Sequence, residues 1–235
     1  MESLESYVAK PIALSAGTRM IHLKLDSDAS QPLEVLCLGA HSDDIEIGCG
    51  GTILHLAERF PRSRFHWVVF SAAGVRETEA RRAAELFAGA KVKGPLCKTF
   101  QDGFMPYVGS DVKAFFESDL KPISPDLIFT HSGKDAHQDH RLISELTRNT
   151  FRDHLILEYE IPKYDGDLGQ PSVYVPLTQD DCQKKVRFIM DSFHSQRSKP
   201  WFEESTFMAL MRLRGMECNA PSRYAEAFYC RKLAL

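Results

Sequence analysis

Five short apolar runs, each separated from the next by a turn and a stretch with helical spacing, constrain this chain more than any other feature. Leu33 to Ala40 (LEVLCLGA) is apolar almost without interruption. A strand with one wet face would alternate, so this run predicts a parallel strand covered on both faces. Gly48 to Arg59 follows with helical spacing, opened by GCGG. Phe65 to Ser71 (FHWVVFS) predicts a second strand, and Arg76 to Ala90, rich in Ala, Glu and Arg, a second helix. Pro95 to Phe100 reads as a short strand, and Asp111 to Leu120 as a helix capped by Asp111. Asp126 to Thr130 (DLIFT) is a buried strand, followed by a helix from His140 to Phe151 and a strand over His154 to Ile161. This alternation predicts βαβ units, hence an α/β fold with a mostly parallel sheet and helices on both faces.

Residues 162–178 (PKYDGDLGQPSVYVPLT) are turn-rich and form the one internal boundary. Beyond them the pattern predicts helices over 180–195 and 202–215, then an edge strand over Ala225 to Lys232. The expected organisation is a single domain over 1–235, with a core at 33–161 and a small C-terminal helical and strand extension at 162–235.

Charge and composition exclude several function classes. With 29 basic against 32 acidic residues, the net charge of −3 supplies no field that would recruit nucleic acid. The basic pairs Arg81-Arg82 and Lys184-Lys185 fall in helix-like segments and read as solvated faces. The N-terminal MESLESYVAK lacks the apolar core of a signal peptide. Apolar runs such as Ile53 to Ala57 and Trp67 to Phe70 are too short to span a bilayer. Cys37, Cys49, Cys97, Cys182, Cys218 and Cys230 are scattered without a C-x-x-C pair, which suits free thiols in a reducing compartment. A cytoplasmic location is expected.

Sites in open α/β sheets form where loops leave the carboxyl ends of strands. Two such loops are dense in metal-ligand residue types: AHSDD (Ala40 to Asp44) and DAHQDH (Asp135 to His140). His41, Asp44 and His140 would make a two-histidine, one-carboxylate set with an open position for water. Asp43 would stand free beside it as a general base, the division of labour that hydrolysis needs. Gly48, Gly50 and Gly51 would let the chain turn tightly into the helix and leave room for a ligand. GCGG lacks the G-x-G-x-x-G spacing, so no dinucleotide fingerprint is met.

These loops resemble the LmbE-like (PIG-L) family of zinc-dependent sugar N-deacetylases. The family's A-H-P-D-D signature with its glycine-rich turn stands here as AHSDDIEIGCGG, with Ser42 in place of proline. Its H-x-D-H signature stands as His137-Gln138-Asp139-His140. The resemblance continues through VRETEARRAAELFAGA, FHSQ at 193–196 and RYAEAFYC, and so touches most of residues 33–232. It implies a Rossmann-like fold, zinc on His41, Asp44 and His140, Asp43 as general base, and a protonated His137 steadying the tetrahedral intermediate. It further implies an N-acetylglucosamine-type conjugate as substrate, with acetate and a free amine as products. FMALMRLRG and YAEAF resemble the bacterial small-molecule deacetylases.

Other residues carry two readings. Arg76 suits a substrate hydroxyl or phosphate, or an exposed helix face. Asp102, in QDGF, suits a sugar hydroxyl or an ordinary turn before Gly103. Asp135 and Asp139 suit carboxylates that orient histidine rings from behind. His194 suits a pocket wall or a structural histidine. His55, His66, His131 and His154 show no partner pattern, though His131 lies close to the second loop. The ligand set suits Fe²⁺ as well as Zn²⁺, which leaves a non-haem iron oxygenase as a rival. Such sites usually sit in β-barrels, and a free Asp43 suits water activation better. A catalytically inactive carbohydrate-binding module is the other rival, and it would be favoured had a ligand or Asp43 been lost. The sugar conjugate and a homo-oligomeric state are left open by the sequence.

Overall fold

Why β1 (Glu34–His41) reads as an unbroken apolar run is evident from its surroundings: every residue after Glu34 is buried. The computed structural model describes residue 25 and residues 32–234. The N-terminal decapeptide used above to argue against a signal peptide lies outside the described residues. Side chains alternate across β1, so one strand feeds two cores. Val35 and Cys37 face α1 (Asp44–Arg59), α2 (Val75–Ala88) and α5 (Gln179–Ser192). Leu36, Leu38 and Ala40 face α3 (Gly109–Phe115) and α4 (Gln138–Thr150).

With β2 (Arg64–Ser71), β3 (Val92–Cys97), β4 (Leu127–His131), β5 (Leu155–Tyr159), β6 (Val173–Pro176) and β7 (Ala225–Cys230), the sheet runs β3-β2-β1-β4-β5-β7-β6. β1 to β5 are parallel, and β7 pairs antiparallel with β5 and β6. The expected α/β class and largely parallel, Rossmann-like sheet are what the molecule has. Chain order reverses between β1 and β4, and such a switch point opens a crevice at the carboxyl ends of its two strands. His41 and His131 end those two strands.

Several expectations need correction. The strand at Ala225 is interior, between β5 and β6, and β6 is the true edge. β6 itself lies inside the turn-rich 162–178 segment and is too short and proline-bounded to show alternation. The helix expected over 111–120 is α3 followed by a π turn at Phe116–Leu120, and Asp111 sits inside its first turn, not at its cap. α6 (Glu204–Glu217) completes the C-terminal part. All six cysteines are free, and no described helix is long and apolar enough to cross a membrane.

The largest surprise is in α1. It begins at Asp44, so GCGG lies within the helix, which breaks at Cys49 (φ −143°). A Cβ on Gly48 would stand 2.2 Å from Tyr159 Cδ2, so that glycine serves close packing, not ligand space. The break leaves backbone groups without helical partners. Glu226 accepts the Gly51 and Thr52 N–H groups at 2.8 and 2.7 Å. Lys185 donates to Ile47 O at 2.7 Å and meets Glu226 at 2.6 Å. Lys185, expected on a solvated face, is therefore buried, because only it can satisfy both the orphan carbonyl and the glutamate. Lys184 beside it is half-buried, and Arg81 and Arg82 are exposed, as expected.

Removing one partner of a buried pair strands the other charge, at a cost of about 3–5 kcal/mol. Lys185→Met is expected to lose that much in urea unfolding, with part regained in Lys185→Met/Glu226→Gln. A loss below about 1 kcal/mol would mean that water reaches the break.

Candidate functional site

The two loops dense in histidine and aspartate meet in the β1/β4 crevice. β1 delivers His41 at its last residue, and α1 turns Asp44 back so that its Oδ2 accepts the His41 N–H at 2.6 Å. α4 delivers His140 in its first turn. His41 Nδ1, Asp44 Oδ2 and His140 Nε2 then form a triangle with sides of 3.4, 3.5 and 3.1 Å. Ligands in a tetrahedral site with bonds of 2.0–2.1 Å lie about 3.3 Å apart. Three potential donor atoms at that spacing suit a divalent cation. Groups drawn from His41, His137 and His140, and from Asp44, His131 and His140, also lie close enough to share an ion.

Carboxylates hold these rings from behind. His41 Nε2 lies 3.0 Å from Asp102 Oδ1 and 3.3 Å from Asp139 Oδ2. His140 Nδ1 lies 3.0 Å from Asp135 Oδ2. Asp139 also accepts the Gly103 and Met105 N–H groups at 2.7 and 3.1 Å, which fixes the loop after β3. Gly103 takes φ +79° there, a conformation that favours glycine. Arg76, in the first turn of α2, reaches Asp102 at 3.1 Å and Asp43 at 3.6 Å. His137 caps α4, and its Nδ1 accepts the Asp139 N–H at 3.2 Å. Its ring centroid is 4.8 Å from that of His41 and 4.6 Å from that of His140.

Neighbouring carboxylates in the sequence meet opposite fields. Burial, then the charge of Asp44, raises the Asp43 carboxyl above its ordinary range, against Arg76 and His41. Burial also works to raise Asp44, but His140, His131 and His41 surround it and hold it well below the usual carboxylate range. Burial and the nearby His131 push the His140 imidazole down to about 4, against Asp44 and Asp135. Burial opposes charge on His41 as well, yet Asp44, Asp102 and Asp139 raise it well above its usual value. His137 is lowered, by burial first and His41 second.

Of the residues singled out in the sequence, the structure brings together His41, Asp43, Asp44, Arg76, Asp102, Asp135, His137, Asp139 and His140. His194 stands exposed, and among the described residues no side-chain hydrogen bond or ion pair ties it to this cluster. Sequence reasoning missed two members. His131 is fully buried, its ring stacked on His140 at 3.9 Å and its Nε2 3.2 Å from Asp44. Its position as the last residue of β4, matching His41 on β1, was the available signal. Lys163 meets Asp135 at 3.0 Å and Asp167 at 2.6 Å; nothing local marked it.

Residues 36–151 match the model of a family described as PIG-L, GlcNAc-PI de-N-acetylase. No curated protein matches the chain at a significant level. Among solved structures, N,N'-diacetylchitobiose deacetylase from Pyrococcus horikoshii aligns at 21% identity and a TM-score of 0.64, over 86% of this chain and 85% of that one. The conserved protein TT1542 from Thermus thermophilus aligns at 21% and 0.67, over 86% and 96%. The 4-carboxy-2-hydroxymuconate hydratase GalB from Pseudomonas putida aligns at 18% and 0.62, over 86% and 98%. At such identities the likeness speaks for the fold.

Asp139→Ala removes the acceptor for two backbone amides. Hydrogen exchange at Gly103 and Met105 is expected to speed up by at least about tenfold, since an amide bond to a charged acceptor is worth about 1.5–3 kcal/mol. Unchanged protection at both amides would show that another group holds this loop.

Proposed function

We propose that this chain, whose residues 36–151 match the PIG-L family model, is a member of that family and a metal-dependent hydrolase removing the acetyl group from an N-acetylated amino sugar. The observation that carries the proposal is the His41–Asp44–His140 triangle, sized for a tetrahedral ion, with the buried carboxylate of Asp43 beside it and outside it, facing Arg76. His41, Asp44 and His140 would hold a divalent ion, Zn²⁺ or Fe²⁺, which would supply Lewis acidity toward the acetyl carbonyl and lower the pKa of water toward ~7.

The remaining steps belong to the chain's own side chains. Asp43 accepts the proton that the attacking water loses, then returns it to the leaving nitrogen as the C–N bond breaks. Water is consumed, and acetate and a free amine are released. His137 donates to the oxygen of the tetrahedral intermediate. Because its Nδ1 accepts a backbone N–H, the neutral ring carries its proton on Nε2. It therefore acts as a neutral donor, which replaces the protonated form expected from the sequence. Arg76 and the half-exposed Asp102 stand at the rim as donor and acceptor for sugar hydroxyls. Asp135 and Asp139 keep the rings of His140 and His41 turned inward. Free thiols suit a cytoplasmic setting.

Hydration of a double bond is the second reading, supported by the hydratase that shares this fold. Acetate release from N-acetylhexosamine conjugates by the metal-loaded protein separates the two. Absence of acetate from every such conjugate would overturn the deacetylase reading.

One divalent ion per chain is expected by elemental analysis, depleted in His41→Ala, Asp44→Ala and His140→Ala. Full occupancy in all three would remove these residues as ligands. Asp43→Asn is expected to keep the ion while kcat falls by about 10²–10⁴. His137→Ala is expected to lower kcat by about 10²–10³ with the ion retained. A lowered, neutral His137 has no proton left to lose at alkaline pH, so the alkaline limb of the rate profile should be the same in that variant. Loss of that limb would restore the protonated donor.

A further inference from the structure

Among the described residues, only three aromatic side chains are exposed: Phe104, Tyr107 and Tyr164. All three stand at one edge of the molecule. Phe104 and Tyr107 lie on the loop leaving the carboxyl end of β3, and Tyr164 on the loop leaving the carboxyl end of β5. That is the edge at which His41, Asp44 and His140 meet.

Both loops are held firmly. Asp139 fixes the first through the N–H groups of Gly103 and Met105, and Gln138 Nε2 donates to Gly103 O at 2.9 Å. The second is fixed by Lys163 on Asp135 and Asp167, and by the Ala136 N–H on Asp167 at 2.7 Å. The carboxylates that steady His41 and His140 therefore also fix the two loops that carry the exposed rings. Phe104 and Tyr107 touch, with centroids 5.8 Å apart and planes inclined at 49°, and Tyr107 is 81% exposed. Large apolar rings held in water on a fixed loop mark a contact surface. Phe104 is two residues from Asp102, whose Oδ1 is 3.0 Å from His41. Two residues of backbone span at most about 7 Å, so the loop that carries Phe104 leaves directly from the edge of the cluster.

We propose that Phe104 and Tyr107 form a stacking subsite for a second ring of the substrate, joined to the N-acetylated sugar and lying outside the metal cluster. The proposal rests on the deacetylase reading. The occupant is a ring with a flat face and a polar edge, because the aromatic pair is exposed and follows, on the same loop, the Asp102 that pairs with Arg76. An aliphatic tail would instead be suited by a closed apolar channel. A pyranose face and a nucleobase share the required chemistry.

The test compares three acetylated substrates: methyl N-acetylglucosaminide, N,N'-diacetylchitobiose and UDP-N-acetylglucosamine. At least one two-ring substrate is expected to exceed the methyl glycoside in kcat/KM by about tenfold or more, chiefly through KM. Chitobiose preference identifies a pyranose, and UDP-sugar preference a nucleobase. In Phe104→Ser and Tyr107→Ser the preference should fall toward one, while Leu86→Ser, on the exposed face of α2, keeps it. Equal kcat/KM for all three substrates in the wild type overturns the proposal, and so does a preference that survives both serine variants. Should no substrate release acetate, the deacetylase reading fails by itself. Calorimetric binding of the same three compounds then decides the subsite: selective two-ring binding lost in the serine variants upholds it, and its absence overturns it. A wild-type dimer in sedimentation that Tyr107→Ser dissociates also overturns it, by assigning the rings to a second copy.

Discussion

A single oxygen, Oδ2 of Asp44, ties together the four elements on which the site depends. It accepts the backbone N–H of His41 at 2.6 Å, and it lies 3.4 Å from His41 Nδ1, 3.2 Å from His131 Nε2 and 3.5 Å from His140 Nε2. α1 contributes the oxygen, β1 two of its partners, and β4 and α4 one each. A buried carboxylate is tolerable only when its lone pairs are engaged, and here histidines and a backbone amide engage them. Asp43, its neighbour, faces Arg76 at the longer distance of 3.6 Å and is left with a raised pKa. Adjacent carboxylates pushed apart in this way are suited to different tasks, the lowered one to holding a cation and the raised one to exchanging a proton.

The position of Asp44 depends in turn on α1 being two helices. The stub from Asp44 to Gly48 packs its glycine on Tyr159, and the hydroxyl of that tyrosine donates to Leu38 O and lies 3.3 Å from His131. Helix start, sheet and buried histidine thus share one tyrosine. A straight helix would have needed no partner from the C-terminal part; the broken one takes Lys185 and Glu226.

How far this was legible from residues alone varies with the physical reach of each signal. Parallel strands buried on both faces leave uninterrupted apolar runs, so β1, β2 and β4 were visible within a residue or two. The two loops were visible because histidine and aspartate crowd where an apolar run stops. β6 was hidden by its four residues and its prolines. His131 was set aside because its partners Asp44 and His140 lie on other elements and no local pattern names them. GCGG was misread because glycine at a helix start suggests room, whereas here Tyr159, Phe87 and Leu177 occupy that room. Lys185 was misread because its charge says surface, and only its distant partner Glu226 makes burial tolerable. The missed features are those set by contacts across the fold.

The partners of the broken helix have a consequence for the order of folding. Lys185 is 138 residues from Ile47, and Glu226 is 175 residues from Gly51. Contacts of such sequence separation close last, because the loop entropy must be met before they form. On the ribosome, β1 and the His41–Asp44 turn emerge first, but the break behind them stays unsatisfied until residue 226 has left the exit tunnel. The stub that carries Asp44 then acquires its final angle among the last events of folding. A chain cut before residue 226 retains every residue of the cluster and lacks the glutamate that completes the bend beneath it.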